Sequence, residues 1–203
     1  GVVVLFHDDN LQRVLGDPRT LLQVDASELR ALMESRGGLI TLEEALVRFP
    51  NTRFNIDVKA DTAVQAVGPI VASHAERVLL TAFSDARRRT AMAAIMRAGA
   101  NQRPAASPGT FTVVKLVIAV WLRARWLAAR TLRGIDAVQI PERQGRLRVL
   151  SPRLIAMAHE LGIEVHVWTV NESDDMRRLL DAGVDGIVTD RADVALQVVA
   201  ERK

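Results

Sequence analysis

What most constrains this chain is a repeated exchange between two kinds of segment. After an opening apolar run at 2–6, short β-branched and aliphatic stretches fall at 54–58, 78–81, 103–107, 137–140, 164–169 and 186–189. A stretch with helix signals separates each from the next. Thr41 caps a helix whose first turn holds Glu43 and Glu44, and Ser84 caps another that runs to Ala98 with Gly99 as its stop. Ser151 followed by Pro152 opens a helix closed by Gly162. Asn171 caps one closed by Gly183, and Asp190 or Asp193 starts the last. A short helix is expected over 27–33, a helix over 63–74 bent at Gly68-Pro69, and one long helix over 112–133. The strand at 103–107 is weak, because Pro104 and Pro108 both disfavour ladder hydrogen bonds.

Strands that alternate with helices pack as a parallel sheet with crossover helices, so the class is α/β. A closed (β/α)8 TIM barrel takes about 250 residues, and this chain has 203. It also opens on Gly1, inside the first apolar run. The expectation is one barrel domain over 1–203 that lacks about its first two strands and is a piece of a longer or processed protein. An open doubly wound sheet is the alternative, though no GxGxxG or P-loop supports a nucleotide site. At 49% hydrophobic, the chain can bury one substantial core. A net charge of +3 without an aromatic-interleaved basic stripe argues against a nucleic-acid partner. The absence of cysteine excludes disulfides, thiolate metal sites and a cysteine nucleophile, and fits a cytoplasmic, reducing location.

Chemistry concentrates in two stretches. The opening GVVVLFHDD reads as a strand that ends in His7, Asp8 and Asp9, where barrels and open sheets gather their active groups. His7 has two readings there, a satisfied structural histidine or a general acid or base. In Phe54-Asn55-Ile56-Asp57-Val58-Lys59, Asp57 and Lys59 share strand parity and point to one side. A divalent cation on Asp57 and an anionic oxygen on Lys59 would use both, and a plain internal salt bridge is the alternative. His166 shares parity with Trp168 and is expected to be packed and hydrogen-bonded. Gln139, near the end of its strand, offers a neutral donor to a substrate. His74 and His159 are expected at the surface of helices, Arg87, Arg88 and Arg89 on a solvated helix face, and Asp190 at a helix cap.

The segment from Thr112 to Arg133 carries another choice. The twelve residues 111–122 are mostly apolar but too few to span a bilayer, which needs about 20. With Trp121, Trp126 and nearby arginines they suit an interfacial helix in peripheral membrane contact. A barrel helix that packs on its strands is the plainer reading.

Five segments together resemble the glycerophosphodiester phosphodiesterases. VVVLFHDDNLQR is similar to that family's His-Asp segment, and NIDVK to its Glu-x-Lys strand. TAFS at 81–84 resembles the strand end with a Ser-Phe pair, VWTVN at 167–171 the Trp-Thr-Val-Asn element, and GVDGIVTD at 183–190 the closing strand. The resemblance implies a (β/α)8 barrel of phosphodiesterase type that cleaves glycerophosphodiesters to sn-glycerol 3-phosphate and an alcohol, with calcium or magnesium as cofactor. By position, it implies that His7 is the second catalytic histidine and Asp57 a metal ligand in place of glutamate. Lys59 would neutralise the phosphate, and Trp168 would lie against the glycerol side. The family's first histidine and two further ligand carboxylates lie on its first two strands, so this segment alone is expected to be inactive. A barrel that has lost catalysis and serves as a binding module, and a membrane-associated phospholipase-type enzyme, are the alternatives.

Overall fold

The computed structural model describes residues 1–202. By its internal contacts the chain divides into two units, Gly1–Val78 with Arg89–Pro104, and Leu79–Arg88 with Ala105–Lys203.

The first unit holds helices α1 (Gln12–Leu15), α2 (Ala26–Met33), α3 (Leu42–Arg48) and α4 (Ala63–Ala72), strand β1 (Phe54–Asp57) and most of α5 (Asp85–Arg97). Local chemistry sets the helix starts. Asp25 accepts the amides of Ser27 and Glu28 at 2.9 Å each, and Thr41 with Glu44 forms a reciprocal capping box at α3. Pro69 remains inside α4. The preceding Gly68 is needed for a different reason: a Cβ there would lie 2.8 Å from the Ala94 carbonyl oxygen, so α4 and α5 approach through bare backbone. Arg77 collects the carbonyls of Phe49 and Thr52 at 2.9 and 3.0 Å and ties the loop after α3.

The opening residues depart from the expected buried strand. Val4 makes one isolated antiparallel bridge to Thr41, flanked by Leu5 N–H to Ile40 O at 3.1 Å and Leu42 N–H to Val3 O at 2.9 Å. Val2 and Leu5 are exposed, while Val4 and Phe6 pack on Leu11, Leu29 and Leu39. An apolar run buried on one side only is an edge segment, not a central parallel strand.

The second unit holds strands β2 (Val78–Thr81, from Leu79), β3 (Ala105–Ala106), β4 (Ala137–Pro141), β5 (Arg143–Gln144), β6 (Leu147–Arg148), β7 (Glu164–Trp168) and β8 (Gly186–Ile187). Its helices are α6 (Thr110–Trp121), α7 (Arg125–Thr131), α8 (Pro152–Glu160), α9 (Ser173–Asp181) and α10 (Ala192–Ala200). Strands β2 and β3 pair in parallel, as do β4 with β7 and β7 with β8. Asp136 joins the two sets: its amide donates to Ala106 O at 2.9 Å and its carboxylate accepts from Ala106 N–H at 2.8 Å. Parallel strands therefore lie beside one another in chain order with helices between them, the α/β organisation of a (β/α)8 barrel. Among the described residues they do not close into a ring. Val138, Ile140, Val165 and Val167 are fully buried, with Leu154 and Ala158 of α8 and Met176 and Leu179 of α9 in the same core. Each of these side chains larger than alanine contributes about 1.5–3 kcal/mol by leaving water. The alternate positions Gln139, Pro141, His166 and Trp168 are only half-buried, so the polar residues share the less covered face of the sheet.

Several expected features resolve differently. The long helix over 112–133 is two helices, because Arg123 takes a left-handed φ of 55° and Ala124 N–H reaches back to Ala119 O at 2.9 Å. Asn171 does not cap α9. Its carbonyl accepts Thr189 Oγ1 and the Asp190 amide at 3.0 and 2.9 Å, and its amide donates to the Asp190 carboxylate at 3.2 Å. Asp190 is thereby engaged and caps nothing; Arg191 is the residue before α10, with Asp193 in the first turn. The two-residue strands β5 and β6 form a hairpin about Gly145, at φ 59°, which periodicity did not signal.

Candidate active site

In the first unit, His7 follows the edge segment and is largely exposed. Its Nδ1 donates to Asp8 Oδ1 at 2.6 Å, and the other oxygen of Asp8 accepts from Arg13 Nε at 2.6 Å. The hydrogen bond from His7, and then Arg13, holds the Asp8 carboxyl below its ordinary range, so it is an acceptor throughout the neutral range. A carboxylate on Nδ1 fixes the tautomer and leaves Nε2 as the nitrogen that can exchange a proton with a ligand. Asp8, expected with Asp9 to offer oxygen ligands at this strand end, is instead engaged by His7 and Arg13.

At the end of β1, Asp57 Oδ2 meets Lys59 Nζ at 3.1 Å, both side chains about one-third exposed, while Val58 between them is buried. The other carboxylate oxygen, Asp57 Oδ1, is buried without a hydrogen-bond partner. A buried carboxylate oxygen with an unused lone pair is costly in a folded protein and is a donor suited to a hard cation. That orphan fits a calcium or magnesium ligand contributed by Asp57. Among the described residues no group of three or more His, Asp or Glu side chains is placed to hold a metal ion.

In the second unit, Gln139 and His166 are register partners on β4 and β7, with Gln139 Nε2 3.4 Å from His166 Nδ1 and His166 Nε2 2.9 Å from Glu164 Oε2. His166 is thus packed and hydrogen-bonded at both nitrogens. Gly186, its partner on β8, makes the space: a Cβ there would lie 2.6 Å from His166 Cδ2. Two residues further, the Trp168 ring meets Phe83 edge-on, with centroids 6.4 Å apart and planes at 78°. Phe83 is 62% exposed, so the pair presents an apolar wall to solvent.

The loop that carries Phe83 is pinned by Asp85, a buried carboxylate that also begins α5. It accepts the amides of Gly109 at 3.0 Å and Thr112 at 3.1 Å, with Arg88 3.7 Å away. Burial alone would raise its pKa, but the Gly109 amide, the hydroxyl and amide of Thr112 and the nearby Arg88 together outweigh burial and hold the carboxyl below its usual value. Arg88 is correspondingly turned inward, at 9% exposure, and is not part of a solvated face. His74 is half-buried in the turn after α4, not on a helix, with Arg77 Nη2 3.2 Å from its Nδ1. His159 is exposed on α8 but engaged, with Nε2 2.8 Å from Asp185 Oδ2.

The chain matches the family model described as glycerophosphoryl diester phosphodiesterase family over residues 1–194. It belongs to that family. A Mycobacterium tuberculosis protein named "Probable glycerophosphodiester phosphodiesterase 2" is 37% identical over 205 residues, covering 100% of this chain and 76% of that protein. Among solved structures, a glycerophosphodiester phosphodiesterase from Parabacteroides distasonis superposes with a TM-score of 0.69 at 21% identity, covering 100% of this chain and 80% of the other. A phosphodiesterase from Oleispira antarctica, solved in complex with the product sn-glycerol-3-phosphate, gives a TM-score of 0.67 at 15% identity, over 97% and 79% of the two chains. These likenesses establish the TIM-barrel phosphodiesterase fold class for this member of the glycerophosphoryl diester phosphodiesterase family.

Proposed function

We propose that this chain provides the catalytic barrel of an enzyme that hydrolyses glycerophosphodiesters to sn-glycerol 3-phosphate and an alcohol, a step in glycerophospholipid breakdown. The observation that carries the reading is the end of β1, where a lysine ammonium stands beside a carboxylate whose second oxygen is buried and unused. In this reading Asp57 is one ligand of a calcium or magnesium ion, which when bound would polarise a phosphoryl oxygen. Lys59 offsets negative charge that builds on the phosphoryl group as the bond to the leaving alcohol breaks. His7, with Nδ1 held by Asp8, moves a proton at Nε2, taking it from the water that attacks phosphorus or giving it to the oxygen of the leaving alcohol. Trp168 and Phe83 provide the apolar wall for the carbon skeleton of the substrate, and Gln139 a neutral donor. A location in the cytoplasm and a contribution from catalytic groups beyond these residues belong to the same proposal.

The test is release of glycerol 3-phosphate from glycerophosphocholine by the natural polypeptide that carries this sequence. It is run after chelation and again after calcium or magnesium is restored. The reading expects activity that returns with the metal and falls about 10²-fold or more in Asp57→Asn. Activity that survives chelation would contradict the metal role. Inactivity across metals and head groups would leave the barrel as a binding module.

A further inference from the structure

Helix α6 is apolar on two faces. Leu116, Ala119 and Val120 are buried, yet Phe111, Val114, Ile118 and Trp121, with Leu122 just past the helix end, form a second stripe that is exposed, Trp121 at 76%. Across the left-handed turn at Arg123, Trp126 of α7 extends it at 72% exposure. A surface helix ordinarily turns polar residues outward, so an apolar outer stripe of this length marks a contact surface.

The charge around the stripe says what kind. Between Asp85 and Asp136 the sequence contains no Asp or Glu, while Lys115, Arg123, Arg125, Arg130 and Arg133 fall within or beside the two helices. Lys115 lies over the Phe111 ring at 4.3 Å, so its ammonium sits at the edge of the apolar surface. Glu160 faces Arg125 of α7 at 3.3 Å, and both are mostly exposed. Among the described residues no helix is long and apolar enough to cross a membrane. Two exposed tryptophans, aliphatic side chains between them and a rim of cations match a surface that lies in the headgroup layer of an anionic bilayer. We propose that α6 and α7 dock this chain on anionic phospholipid membranes, with Trp121 and Trp126 as anchors and the basic rim as the charge partner. This goes beyond the phosphodiesterase reading and is independent of it.

The test is flotation of the natural polypeptide with vesicles of phosphatidylcholine alone and of equimolar phosphatidylcholine and phosphatidylglycerol, at low and high salt. The expected result is binding about tenfold or more tighter on the anionic vesicles, weakened by salt. Brominated lipid quenches tryptophan emission in the wild type. In Trp121→Ala/Trp126→Ala, where Trp168 remains, quenching disappears and binding drops about tenfold. Lys115→Glu/Arg130→Glu lowers binding without touching the anchors, which keeps the test sound if the tryptophan variant folds poorly. No binding to anionic vesicles, or binding unchanged in both variants, overturns the proposal. So does a concentration-dependent dimer in sedimentation velocity that Trp121→Ala/Trp126→Ala abolishes, which would make the stripe a contact between copies. No substrate is used, so the outcome is separate from that of the activity assay.

Discussion

Asp85 Oδ1 accepts the amide of Gly109 at 3.0 Å, which locks the loop after β2 to the loop that enters α6. Gly109 has no room for a side chain: a Cβ would lie 2.6 Å from Phe83 O and 2.7 Å from the Asp85 amide nitrogen. The two residues fix the segment from which Phe83 reaches Trp168, so folding stability and the shape of the aromatic wall are coupled here.

The first prediction concerns acid. The Asp85 carboxyl is held below its ordinary range, so its contribution to stability is complete above about pH 4, the unfolded-state value. It is lost as pH falls through the lowered folded value. Asp85→Asn should cost about 1–3 kcal/mol at neutral pH, because it leaves one of two buried amides poorly served. It should also flatten the acid limb of the stability curve. Urea unfolding between neutral pH and pH 3 reads both, and an unchanged acid limb would remove Asp85 from the account.

Gly186→Ala should push the His166 ring off Gln139, since the added carbon would overlap Cδ2 and Cγ of a packed imidazole. The expected cost is about 1–3 kcal/mol of overpacking, visible as a lowered melting temperature and a shifted His166 resonance.

Phe83 is mostly exposed, so Phe83→Ala should lower stability by no more than about 1 kcal/mol. If the ring pair forms a wall of the substrate site, Trp168→Ala and Phe83→Ala should raise KM more than they lower kcat. An equal loss in kcat with unchanged KM would assign the pair elsewhere.

Much of the fold was legible where a residue acts on its own backbone. The caps at Thr41, Ser84 and Ser151, the proline at 152 and the glycine stops at 99, 162 and 183 depend on neighbours a few residues away. The misreadings share the opposite property. Val2 to Phe6 looks like a buried strand by composition, but its burial depends on what covers its second face. Asn171 and Asp190 have cap chemistry, yet each finds the other across 19 residues of chain. Arg88 reads as solvated in an arginine run until Asp85 draws it in. The break at Arg123 carries no glycine, so no local signal announced it. At the site, strand parity puts Asp57 and Lys59 on one side, while the burial of the second Asp57 oxygen depends on tertiary packing that no local pattern carries.

In the proposed reaction His7 moves the proton in phosphodiester cleavage and Asp8 is its positioning residue. The most direct measurement is the kcat/KM and its pH profile for glycerophosphocholine hydrolysis by the natural polypeptide, His7→Ala and Asp8→Asn. The expected loss in His7→Ala is about 10²–10⁴-fold. In Asp8→Asn a smaller loss of about 10–100-fold is expected, with a displaced pH profile. Full activity in His7→Ala would contradict this role.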